Sequence, residues 1–241
     1  PLKGANKNIY SPKTDRKEIK MPFSIESWMA DYCRMVNKTF GARVRFIGLQ
    51  GSSARGEATA RSDIDAVLIL DRADAADLTA YSALLDRLPE RERSCGFISG
   101  WEELTHWEPS ELLQFYYDTI PYAGSLDPLL RQITPESARQ AVHAGACGIY
   151  HGCAHNLVHD HSPEILRGLF KSALFVLQAE GYRLTGRYIR EPDALAEALP
   201  EADRALLQTA HRVKGEGIRP EEMDTLSAML LRWASDKIIT L

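Results

Sequence analysis

Asp63 and Asp65 stand one residue apart at the head of an apolar run, Ile64 to Leu70. In a strand, residues i and i+2 leave from the same face, so both carboxylates would point into one space. Two carboxylates so placed can share or bridge Mg²⁺, a hard cation that takes few protein oxygens and completes its shell with phosphate oxygens and water. About ten residues upstream, Gly51-Ser52 ends an earlier apolar segment. A glycine there lets backbone N–H groups approach an anion, and Ser52 adds a hydroxyl. Together these residues describe a polyphosphate-plus-metal site, whose natural chemistry is in-line attack on phosphorus. The Gly51 to Gly56 stretch lacks the Lys-Ser/Thr ending of a P-loop.

Strands and helices must hold this pair. Ser24 reads as the cap of a helix carrying Ile25, Trp28, Met29, Tyr32, Met35 and Val36 at helical spacing, with Gly41 as its stop. Arg43 to Gln50 reads as a strand, and Ile64 to Leu70 as a strand covered on both faces. Ala73 to Leu88 reads as a second amphipathic helix, and Cys95 to Ser99 as a short third strand. Ser110 to Thr119 is a short helix, and Ile120 to Pro128 a connection containing Pro and Gly. Beyond Thr134 only helical patterns recur: Pro135 to about His161, a segment opened by Ser162-Pro163-Glu164, then Asp193 to Leu199, Ala202 to Val213 and Pro220 to Ile239. The expectation is an α/β (α+β) fold, a small mixed-sheet domain over residues 23–122 followed by an all-helical bundle over 123–241. Pro1 to Lys20 is polar and lysine-rich, and a mobile leader is expected over residues 1–22.

The full stretch Gly51-Ser52-x-Ala54-Arg55-Gly56-x-Ala58 through Ser62-Asp63-Ile64-Asp65 resembles the motif of the DNA polymerase beta-like nucleotidyltransferases. That fuller form is typical of the bacterial small-substrate branch, which includes streptomycin and kanamycin nucleotidyltransferases and minimal nucleotidyltransferases. The motif core covers residues 49–70, and the order of sheet then helices extends a looser likeness over most of the chain. The resemblance implies that Asp63 and Asp65 are the catalytic, metal-binding acids. It also implies that Ser52 and Ser62 contact the nucleotide phosphates and that Gly51 is the turn glycine. It implies Mg²⁺ as cofactor and an NTP, by family habit ATP, as donor to a hydroxyl of an aminoglycoside-like small molecule or of a protein. Members usually carry a third Asp or Glu on the next strand, but Ser94 to Gly100 contains none. Glu102, Glu103, Glu108 and Asp71 lie near it in sequence, outside the expected register. A catalytically weak or inactive nucleotide-binding regulator of the same fold is therefore the competing expectation.

A triphosphate needs cations. Arg167 and Lys171 share a helix face at i, i+4, and Lys171 in Leu169-Phe170-Lys171-Ser172 sits where the streptomycin enzymes are similarly basic; it is expected to bind nucleotide. Arg187 and Arg190 follow. His143, Cys147, His151, His155 and His159 step by four along one helix. Because each such step turns by about 40°, the five cannot share a metal, and ordinary hydrogen-bonded histidines are expected. Ala141, Gly145, Gly148 and Gly152 form a small-residue stripe suited to a tight helix crossing or, less readily, to a ligand. Trp101, Trp107, Tyr116, Tyr117 and Tyr122 could form core or wall an acceptor pocket.

Composition limits the alternatives. A net charge of -4 argues against a nucleic-acid-binding face. The uncharged run from Gln140 to His159 is too polar for a bilayer span. Four cysteines without a CxxC pair suit reduced thiols in a cytoplasmic protein.

Overall fold

The structure is a computed structural model that describes residues 23–60 and 62–241; the leader expected over 1–22 lies outside the described residues. The fold combines a four-stranded mixed sheet with a helical second half. Ser24 caps α1 (Ile25–Phe40) by accepting from the Ser27 amide at 3.3 Å, and Gly41 ends it at φ 56°. β1 (Val44–Gln50) runs into the single turn α2 (Gly51–Ala54), then β2 (Ile64–Leu70), α3 (Ala75–Leu85) and β3 (Ser94–Gly100). α3 starts later than its apolar pattern suggested because Asp74 caps it, accepting from the amides of Ala76 and Asp77 at 2.9 and 3.0 Å. After α4 (Trp101–Thr105) and α5 (Pro109–Asp118) comes β4 (Ile120–Ala123).

Strand order is β3-β2-β1-β4; β2 and β3 are parallel, and the other pairs are antiparallel. β4 corrects the expectation of a simple connection from residue 120. Ile120, Pro121 and Ala123 pair with Leu49, Gly48 and Ile47. Proline is tolerated because the strand is an edge, and all four residues are exposed, so no burial alternation marks the strand in the sequence.

The helical half holds α6 (Pro135–His155), α7 (Pro163–Thr185), α8 (Pro192–Ala198), α9 (Glu201–Glu216) and α10 (Met223–Thr240). The chain continues past α6 as a wider π-helical turn, Asn156–Asp160, and stops at His161 in a left-handed conformation. Buried Asn156 seals that stop by accepting from the Ser162 amide at 2.9 Å. A Cβ at Gly145 would stand 2.5 Å from Val176 Cγ2, and one at Gly152 would stand 2.8 Å from Leu169 Cδ2, so α6 and α7 cross closely at these two positions. Gly148 faces open space and takes no part in that crossing.

The two faces of β2 explain its apolar run. Ile64, Ala66, Leu68 and Leu70 pack with α1 and α3, whereas Val67 and Ile69 belong to a core shared with α5, α6, α7, α9 and α10. Asp65 continues the odd-numbered row, so its carboxylate leaves on the face that the later helices cover. Among the described residues no helix is long and apolar enough to cross a membrane.

Candidate functional site

At the end of that row lies a cavity of about 890 Å³ between the sheet and the helices. Gly51, Ser52, Ser62, Asp63, Asp65 and Lys171 all line it, so the structure brings the acid pair and the turn together with one of the four candidate cations. Gly51 makes the turn possible. It adopts φ 69°, and a Cβ there would overlap the Asp65 carboxylate. Ser62 is held from within its own loop, its hydroxyl accepting from the Thr59 amide at 2.9 Å, while Arg93 Nε donates to its carbonyl at 3.0 Å. Gln50, the register partner of Asp65 on β1, donates to Thr119 Oγ1 at 2.7 Å and to the Phe115 carbonyl at 3.2 Å. These bonds tie the end of β1 to α5.

The Asp65 carboxyl lies above its usual range. Burial is the main cause, the neighbouring Asp63 charge adds to it, and Lys171 and Arg55 pull the other way. Two hard carboxylate oxygen donors under such mutual repulsion suit a divalent cation of the Mg²⁺ type. No group of three or more His, Cys, Asp or Glu side chains converges among the described residues. A cation bound by Asp63 and Asp65 would therefore take its other ligands from phosphate oxygens and water.

The parallel register places Cys95 beside Asp65 and Phe97 beside Val67. Phe97 packs edge-on against Trp107 and Phe115, at 5.5 and 5.0 Å between ring centroids. Neither Cys95 nor Phe97 lines the cavity, so the third strand brings no carboxylate to the acid pair. Glu102, Glu103, Glu108 and Asp71 do not line the cavity, and Asp71 pairs with Arg43 at 3.0 Å at the far end of β2. The carboxylates that complete the cavity wall come from α5, Glu111 and Asp118. Asp118 is engaged: Arg55 Nη1 lies 3.2 Å from one oxygen, and the Tyr188 hydroxyl donates to the other at 3.4 Å. Glu111 is exposed and accepts from Trp107 Nε1 at 2.6 Å.

Arg55, which stands within the motif, and Glu111, Asp118, Gln178 and Tyr188 also line the cavity, with no role assigned to them from the sequence. A signal existed. Glu111, Gln114, Phe115 and Asp118 fall at i, i+3, i+4 and i+7, and Lys171, Phe175 and Gln178 fall at i, i+4 and i+7 on α7. Tyr188 stacks on Tyr117 at 4.3 Å, with ring planes 2° apart.

Other expectations scatter. Arg190 donates to the Tyr117 carbonyl and lines a second cavity of about 460 Å³, which adjoins the first through Arg55, Asp118, Lys171, Phe175 and Gln178. Arg167 instead donates to the Lys214 carbonyl at 2.9 Å, and Arg187 lines neither cavity. Tyr117 lines the second cavity; Trp101 and Tyr116 pack against the core, and Trp107 and Tyr122 are exposed. Ala141 and Gly145 belong to the wall of the larger cavity, so the small-residue stripe serves both a helix crossing and an open space. The histidines lie along a largely exposed face of α6, where His155 pairs with Asp160 at 3.0 Å.

Residues 33–134 match the family of nucleotidyltransferase domains. No curated protein sequence matches the chain significantly. Among solved structures, a spectinomycin adenyltransferase from Enterococcus faecialis, determined with ATP and spectinomycin, is similar in fold. It is 14% identical with a TM-score of 0.59, and the match covers 90% of this chain and 100% of that one.

Proposed function

We propose, from the match of residues 33–134 to the family of nucleotidyltransferase domains, that the chain moves a nucleoside monophosphate from an NTP, preferably ATP, to a hydroxyl of an aminoglycoside-like small molecule. The observation that carries this reading is the meeting of Asp63, Asp65 and Ser52 from the sheet with Lys171 from α7 in one cavity. Its volume of about 890 Å³ suits a small acceptor beside a triphosphate. Residues 23–122 would then bind metal and phosphates, and residues 123–241 would supply cations and acceptor surface.

Asp63 and Asp65 would hold Mg²⁺, which when bound neutralises charge on the phosphates. Ser52 and Ser62 donate hydroxyl hydrogen bonds to phosphate oxygens. Lys171 stabilises charge that builds on the leaving pyrophosphate. The acceptor oxygen bonds to phosphorus as the bond to pyrophosphate breaks, and its proton passes to a carboxylate. We assign that role to Glu111, because β3 offers none and Asp118 is ion-paired with Arg55, whereas Glu111, among the described residues, accepts only from the neutral Trp107 indole through one oxygen.

A nucleotide-binding regulator is the second reading, favoured by the lack of a carboxylate on β3. Incubation with labelled ATP, Mg²⁺ and a panel of aminoglycosides and aminocyclitols separates the two. Acceptor-dependent pyrophosphate release that disappears in Asp63→Asn/Asp65→Asn supports the transferase, whereas ATP binding without turnover on any acceptor supports the regulator. Glu111→Gln should lower turnover by about 10²–10⁴-fold while ATP still binds. Full activity in Glu111→Gln would remove Glu111 from the mechanism.

A further inference from the structure

The second cavity holds a chain of charges, of which the reaction above uses only Lys171. Glu57 follows α2, and its amide donates to the Ser52 carbonyl at 2.9 Å, so its backbone is fastened to the phosphate-binding turn. Its side chain reaches across the cleft to Lys214 on α9, 157 residues away, at 2.6 Å. The same carboxylate accepts from Arg55 Nε at 3.1 Å. Arg55, Lys171, Arg190 and Lys214 face the carboxylates of Glu57, Asp118 and Glu191 in this cavity. The cations adjoining the nucleotide cavity are thus largely neutralised from within.

We propose that Glu57 is a resident counter-anion, which yields Arg55 and Lys214 to the terminal phosphates of a polyphosphate and reclaims them as pyrophosphate leaves. The inference rests on the nucleotide reading above. Exposure makes the exchange feasible. The Glu57 and Lys214 side chains are 39% and 42% exposed, and ion pairs of that kind hold weakly enough to be replaced. Lys171, which forms no ion pair among the described residues, offers an entering anion a first partner. Arg55 keeps Asp118 as a second carboxylate at 3.2 Å, so it stays at the junction of the two cavities whether or not Glu57 engages it. No bond within the protein need break other than the two that Glu57 makes, and its backbone stays anchored to Ser52.

Calorimetric titration of the full chain with pyrophosphate, ATP and AMP tests the proposal without requiring turnover. Glu57→Gln should tighten pyrophosphate and ATP by about three- to tenfold, the value of one or two exposed ion pairs. AMP, which lacks the terminal phosphates, should bind as before. In a Lys214→Met background the gain from Glu57→Gln should shrink. Unchanged or weaker pyrophosphate binding in Glu57→Gln, at an unchanged melting temperature, overturns the proposal. Equal tightening of AMP does so too, since it would report only a general change in charge. A wild-type chain that binds neither ATP nor pyrophosphate would instead fail at the nucleotide reading itself.

Discussion

Replacing Gly51 by alanine separates backbone strain from damage to the site, because a second glycine supplies the control. Gly51 and Gly56 adopt nearly the same left-handed conformation, φ 69° and 70°. Alanine at either should cost about 1–2 kcal/mol of stability from the backbone alone, a drop of a few degrees in melting temperature. Their surroundings differ. A Cβ at Gly56 meets nothing within 4 Å, whereas one at Gly51 overlaps Asp65 Oδ2 and lies 2.8 Å from its Cγ. Carbon atoms pack at about 3.5–4.0 Å, so the carboxylate must retreat by about 1 Å. A displacement of that size in a positioned group costs on the order of 10²-fold in rate. Gly51→Ala should therefore lose acceptor-dependent pyrophosphate release by about 10²-fold, together with the protection that Mg²⁺ gives against thermal unfolding. Gly56→Ala should lose stability only. Equal activity of the two variants, both folded, would refute the placement of the Asp65 carboxylate against the turn.

Lys171→Met should weaken ATP by about ten- to a hundredfold, the loss of one charge-assisted hydrogen bond, and leave the melting curve unchanged. Binding through Asp65 needs its ionised form, so affinity should decline as pH falls through its raised pKa; removing Lys171, which lowers that pKa, should move the decline to higher pH. At the other end of β2, Asp77 is brought down to about 2, chiefly by its hydrogen bonds from Arg43 and then by the Asp74 amide. Its stabilisation is present above the ordinary carboxylate range and lost as pH falls through about 2, so Asp77→Asn should flatten stability against pH in that acid window. In the helical half, Lys237 Nζ lies 2.8 Å from buried Glu180 and 2.7 Å from buried Asp203. Lys237→Met should cost about 3 kcal/mol in denaturant unfolding, the low end for a broken buried pair, because Arg183 and Trp233 still donate to those carboxylates.

The sequence by itself determined the local parts. Capping residues marked helix starts at Ser24, Thr134 and Ser162, and the two-sided apolar run marked β2. The i, i+2 spacing placed Asp63 and Asp65 on one side of a strand, since strand alternation is a local property. β4 escaped because an exposed edge strand has no buried face and its proline argues against pairing. Tertiary structure alone decided what faces the acids. Lys171 comes from more than a hundred residues away, and no periodicity within α7 states which cavity its polar face will meet. Glu111 and Asp118 lie on an ordinary amphipathic helix until Leu112 and Leu113 are buried in the core shared with the helical half and the row of Glu111, Gln114, Phe115 and Asp118 faces the cavity that Asp65 lines. The parallel pairing of β2 with β3 likewise gave the position beside Asp65 to Cys95. Register and helix docking are set by core burial across distant segments, so the acid pair could be read from the chain and its surroundings could not.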